Sequence, residues 1–327
     1  MKETYKKENL LNRESPLELL PNLSKYFGPK IYVKRDDVGG RGGGGNKLRK
    51  YERIIGRALE ENCDTLIIAG HYQSNASRAL VGAACQLGLK SIVVCKKMIP
   101  EQNTLFNKNG NALLMSLMGA EIVGIKINDD FQIELNKVSE RVKHAGGKPY
   151  IIPFGGSNLL GSLGYVDCAN EIIEQCDKEK INPDFVFVTT GSGGTQAGLV
   201  AGFHMKNMNT KIIGISALHN KETGTEIVDR LTKEILVDKK YKSTNNPEII
   251  VDDNFVGDGY GIPTKKGIES IKLLAKTEAL FLCPVYTSKA MSGLISYIKK
   301  GKIRDSDTVV FIHTGGMPLV HAYFDKY

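Results

Sequence analysis

The chain has 327 residues, 41% hydrophobic and 24% charged, which is enough for a large buried core and, by length, about two domains. Forty-four Lys and Arg against 36 Asp and Glu give a formal charge of +8, but the basic residues are scattered among acids along helical segments, which argues for a solvated surface and against a nucleic-acid-binding face. The six cysteines (Cys63, Cys85, Cys95, Cys168, Cys176, Cys283) lack CxxC spacing, the start MKETYKKENLLNRES has no apolar signal core, and no run approaches the ~20 apolar residues of a membrane span; buried thiols in a cytoplasmic protein, with no zinc site, are expected.

Short apolar, β-branched runs predict strands over 31–36, 65–70, 91–96, 121–126, 150–155, 185–190, 211–217 and 308–316. Between them NKLRKYERIIGRALEEN, SNASRALVGAACQLG and TKKGIESIKLLAKTEA carry helical periodicity. The alternation predicts parallel βαβ units, an α/β fold. In such sheets ligands bind beyond the carboxyl ends of the strands. Four loops there are chemically unusual: GGRGGGGNK (39–47), GHYQSN (70–75), GSGGT (191–195) and HTGG (313–316).

GSGGT follows a strand and precedes the helical run QAGLVAGFHMKN, so its backbone N–H groups converge as a cradle for a phosphate. A dinucleotide fingerprint fails, because its third glycine falls on Gln196 and the next strand ends without a ribose-binding acid. A Walker loop fails too: Lys47 follows Asn46 and precedes Leu48. The glycine run before Lys47 lets backbone pass close to something large and flat, and points Lys47 into a cleft.

The segments IYVKRDDVGGRGGGGNKLRKYE, GHYQSN, YIIPFGGSNLLGSLGY, TTGSGGTQAG, GDGYGIP, PVYTSKAMSGL and FIHTGG resemble, in order and spacing, the D-cysteine desulfhydrase and 1-aminocyclopropane-1-carboxylate (ACC) deaminase family. The resemblance implies two doubly wound open sheets with helices on both faces, and pyridoxal 5'-phosphate in the cleft between domains. The large domain would take residues 1–49 and 159–327, and a smaller inserted one residues 50–158. It also implies a homodimer acting on a small amino acid. Lys47 would carry the cofactor as a Schiff base and move protons once freed. Asn75 would bond the ring's phenolic oxygen, and Gly191, Ser192, Gly193, Gly194 and Thr195 would hold the phosphate. Ser74 would serve both as a helix N-cap and in substrate carboxylate binding or proton transfer. Tyr260 and Tyr286 would flank the substrate, and Thr287 would sit beside the pyridine nitrogen. For His313 a packed structural role is as good an expectation as a place in the pocket.

ACC deaminases of this family carry Glu at the position of Thr287. A neutral hydroxyl cannot hold the pyridine nitrogen protonated as a carboxylate does, so the resemblance implies α,β-elimination through an aminoacrylate to pyruvate and ammonia. Ring opening of ACC is the alternative, and a cofactor-binding protein with little catalysis a third reading. The chain departs from the family pattern at Ala76 and Ser77, at bulky His71 and Tyr72, and at Arg41 with its four glycines. Arg41 or His71 is therefore expected to contact an anionic or bulkier substrate side chain.

Overall fold

The computed structural model describes residues 5–99, 103–242 and 245–327. In chain order the strands are β1 (Leu17–Leu19), β2 (Lys30–Lys34), β3 (Thr65–His71), β4 (Lys90–Lys96), β5 (Glu121–Gly124), β6 (Pro149–Ile151), β7 (Phe185–Thr190), β8 (Lys211–Ser216), β9 (Ile250–Asp252) and β10 (Thr308–Ile312). The helices are α1 (Pro21–Phe27), α2 (Lys47–Glu60), α3 (Asn75–Leu87), α4 (Gly110–Leu117), α5 (Phe131–His144), α6 (Leu159–Glu179), α7 (Gly194–Met205), α8 (Lys221–Asp238), α9 (Lys265–Glu278), α10 (Thr287–Lys299) and α11 (Pro318–Ala322).

Two sheets form. One has six strands in the order β1-β2-β10-β7-β8-β9, parallel except for β1 against β2, and the other has four parallel strands in the order β5-β4-β3-β6. Both bury both faces, which is why their strands read as continuous apolar runs. In the larger sheet Phe187, Ile213 and Phe311 pack with α1, α9 and α10, while the alternating Val186, Val188, Val310 and Ile312 pack with α6 and α7. In the smaller sheet Leu66, Ile68 and Val93 meet α2 and α3, whereas Ile67, Val94 and Ile92 meet α5. The expected α/β fold is therefore present, with helices on both faces of each sheet.

The predicted strands differ in three places. β1 and β9, three residues each, are too short to show periodicity. The run 150–155 stops pairing at Ile151, because Pro153 lacks a donor and a 3-10 turn takes over at Phe154–Gly156. β10 ends at Ile312, leaving HTGG as a turn. Cys85 is exposed while the other five cysteines are buried, so the expectation of buried thiols fails at that residue. Among the described residues no helix is long and apolar enough to cross a membrane.

Candidate active site

One cavity lies beyond the carboxyl ends of β3, β7 and β10, lined by residues that follow strands of both sheets. Lys47 enters it as the first residue of α2. The glycine run before it does a different job from the expected one. Gly40, Gly42, Gly43, Gly44 and Gly45 all have positive φ, and the loop folds around the Arg78 guanidinium, which donates to the carbonyls of Gly42 and, at 2.9 Å, of Gly44. A Cβ on Gly42 would stand 2.9 Å from the Cα of Gly82 on α3. The run thus passes close to α3 and not to the cavity, and Arg41 is exposed and off the cavity wall. The expectation that Arg41 meets a substrate side chain is not supported.

Lys50, three residues along α2, shares the face of Lys47, and sequence reasoning missed it although the i,i+3 spacing was visible. Its Nζ donates to Ser157 Oγ at 2.8 Å and Gly155 O at 3.3 Å. Burial lowers the Lys47 amine to about 8. Burial, together with the charge of Lys47, takes Lys50 well below the lysine range. No carboxylate lines the cavity among the described residues, so this pair of amines lacks an anion.

Facing them, β7 runs into Gly191, Ser192 and Gly193 and then α7. Gly193 sits at φ +81, and a Cβ there would stand 2.6 Å from an Ile227 methyl, so the turn requires glycine. Ser192 and Ser157 share a 2.7 Å hydroxyl bond, Gly194 N donates to Ser157 Oγ at 3.3 Å, and Asn46 Nδ2 donates to Thr195 Oγ1 at 3.0 Å. Backbone amides at a helix start, two hydroxyls and a buried amine make a lining suited to a phosphate. Gln196 is buried elsewhere: it donates to Ile250 O at 2.7 Å, and its amide occupies the space a Cβ on Gly214 would need.

The third wall follows β3. Ser74 Oγ caps α3 by accepting from Ser77 N at 3.1 Å, and Asn75 opens that helix. His71 Nε2 lies 3.0 Å from the Tyr260 hydroxyl, which is in turn hydrogen-bonded to the Tyr286 hydroxyl. Burial depresses His71 to about 4 and raises Tyr260 to about 12, so around neutrality the imidazole is uncharged and the phenol keeps its proton. Thus Lys47, Ser74, Asn75, Gly191, Ser192, Gly193, Thr195, Tyr260 and Tyr286 all line the cavity. Gly194 and Thr287 do not. Gly194 stands behind the loop as the first residue of α7, and Thr287 is fully buried with its Oγ1 accepting from Cys283 N at 2.7 Å. His313 is structural: its Nδ1 accepts from Gly315 N and its Nε2 lies 3.2 Å from Phe281 O.

A buried amine of depressed pKa facing a glycine-rich helix start, in a doubly wound α/β frame, suits a phosphorylated aldehyde cofactor. Residues 9–315 match the pyridoxal-phosphate dependent enzyme family, and the chain belongs to it. Its cofactor is pyridoxal phosphate, and the residues present fit that group: the amides and hydroxyls at the start of α7, with the Lys50 amine, would hold a phosphate, and Lys47 would supply the amine. The chain is 35% identical, over 99% of its length and 95% of the other chain, to a solved structure described as an ACC deaminase homologue (TM-score 0.88). Two more distant structures share the fold. Threonine deaminase isoform 2 from Solanum lycopersicum, in its processed form, is 22% identical over 93% of this chain and 79% of that one (TM-score 0.62). A hydrogen sulfide-producing enzyme from Fusobacterium nucleatum is 19% identical over 96% and 97% (TM-score 0.63).

Proposed function

We propose that this enzyme catalyses α,β-elimination from a small β-substituted amino acid, as a D-cysteine desulfhydrase does, releasing pyruvate and ammonia. The observation that carries the reading is the cavity wall: among the described residues it holds no carboxylate, and α10, which starts at Thr287 off that wall, has no acid in its first turn, so no acid there keeps a pyridine nitrogen protonated. Bound pyridoxal phosphate supplies the electron sink that makes the α-proton of the amino acid removable. Lys47 would hold the cofactor, and its amine is placed to take or return the proton at the substrate. Ser74 Oγ, with its lone pair already turned to Ser77 N, offers its hydroxyl proton to the substrate carboxylate. Tyr260 and Tyr286, both protonated, close the side-chain end beside neutral His71.

Lys47 and Lys50 are the Lys or Arg side chains lining the cavity among the described residues, and both have partners in this scheme. No lining cation remains for a sulfonate or a second carboxylate, so a neutral substituent such as thiol, hydroxyl or chloride fits better than that of cysteate. ACC deamination is the second reading, favoured by the 35% identical structure. Keto-acid and ammonia release from D- and L-amino acids and ACC, with Lys47→Ala as control, decides between them. Pyruvate from one β-substituted amino acid is expected; α-ketobutyrate from ACC would overturn the assignment. We also propose a cytoplasmic homodimer with residues 50–158 as its smaller lobe, for which light scattering should give about twice the 35.9 kDa chain mass.

A further inference from the structure

Asn111 is fully buried at the start of α4, outside the cavity wall, yet its side chain reaches Asn75. Its Nδ2 donates to the backbone carbonyl of Gln73 at 2.9 Å, and a carbonyl only accepts, so the nitrogen end of this amide is fixed. The same Nδ2 donates its second hydrogen to Asn75 Oδ1 at 2.7 Å. A flipped Asn75 would set two NH2 groups against each other at that distance. Gln73 locks the partner segment from the other side. Its Nε2 donates to the carbonyls of Phe106 and, at 2.9 Å, Asn109, and its Oε1 accepts from Asn111 N at 3.0 Å. Asn75 therefore has its oxygen tied down, and its NH2 lies beside Gly316 and Cys283; one hydrogen goes toward the Cys283 thiol, and the other is the one left to donate.

We propose that Asn111 is a positioning residue that fixes the amide polarity of Asn75, so that a donor and never a carbonyl faces the ring oxygen of the cofactor. The inference rests on the reading of Asn75 as the residue that contacts that oxygen. A donor there stabilises the unprotonated oxygen. A carbonyl there demands a protonated one, because one of the two facing oxygens must carry the hydrogen. Asn111→Asp, equal in size, has only acceptors, so Asn75 turns its NH2 outward to Asp and its carbonyl inward.

The test is a double-mutant cycle read by absorbance of the cofactor-loaded protein at fixed pH. In Asn111→Asp the ratio of the long-wavelength band (ring oxygen unprotonated) to the short-wavelength band falls at least about tenfold, the equivalent of one hydrogen bond to a charged group. In an Asn75→Ala background the same substitution changes the ratio less than about twofold. Asn111→Leu, which frees Asn75 without inverting it, gives a smaller fall that Asn75→Ala also abolishes, and stands in if the Asp variant does not fold. An unchanged ratio in both variants, or an equal fall in both backgrounds, overturns the proposal while leaving the cofactor reading intact. A wild-type protein with no cofactor band overturns both.

Discussion

Two amines three residues apart on α2, in a cavity without an acid among its described lining, cannot both be ordinary ammonium groups. In the cofactor-free chain the amine of Lys47 is lowered by burial to about 8 from 10.5. Schiff-base formation needs the unprotonated amine, so the rate of reconstitution with pyridoxal phosphate should rise with pH and level off above about 8, followed by absorbance. The stability sign is also set. Between about 8 and 10.5 the unfolded chain holds a proton on Lys47 that the folded one has released, so stability of the cofactor-free protein rises with pH in that window, by on the order of 2 kcal/mol. Denaturant midpoints at the two ends check it. At His71, held neutral by burial, replacement by Ala removes the bond to Tyr260. One such bond is worth about 1 kcal/mol, so kcat/KM should fall about fivefold for the native substrate while bulkier amino acids gain.

At the scale of an element, α3 and α10 each combine a structural device with a site residue. Ser74→Ala should cost about 1 kcal/mol through loss of the cap on α3, whereas Ser74→Asp keeps a capping acceptor. If the Ser74 hydroxyl also serves the substrate, both variants lose activity but only the Ala one loses stability, a split that thermal unfolding and steady-state kinetics resolve. On α10 the buried Lys289 Nζ donates to Val256 O at 2.7 Å and Gly259 O at 3.3 Å, pinning the loop that carries Tyr260. Lys289→Met keeps the length but strands both carbonyls. We expect about 1–3 kcal/mol of destabilisation and a higher KM as Tyr260 loosens. These pairings also mark what spacing along the chain reveals: Ser74 reads as a cap because its partner is three residues away, whereas nothing near Lys289 announces a loop about thirty residues upstream.

Across the whole molecule the N-terminal segment, β2, α2 and α6 are joined by a buried charge network. Asp36 accepts from Ser15 Oγ at 2.7 Å, from Arg49 at 2.9 and 3.0 Å and from the Tyr165 hydroxyl; Arg49 reaches Glu171 at 2.7 and 2.8 Å, and Lys34 reaches Glu171 at 3.0 Å. Burial opposes charge on Asp36, but the Arg49 guanidinium outweighs it and holds the carboxyl below its ordinary value. Stability from this group is present above the ordinary carboxylate range and lost as pH falls through the lowered value. Asp36→Asn leaves Arg49 short of one partner and should cost about 3–5 kcal/mol, measured by denaturation at pH 7. The sequence by itself determined the α/β alternation, most of the strands and the loops that carry Lys47, Ser74, Asn75, Tyr260 and Tyr286. Those signals are local: a period of two or 3.6, a glycine where φ is positive, a motif within a few residues. Only the tertiary structure decided that the glycine run embraces Arg78, that His71, Tyr260 and Tyr286 form one chain, and that Lys50 and Ser157 complete the cradle. Each joins residues from different loops, and which loops converge depends on how two sheets pack, a property that no window of sequence contains.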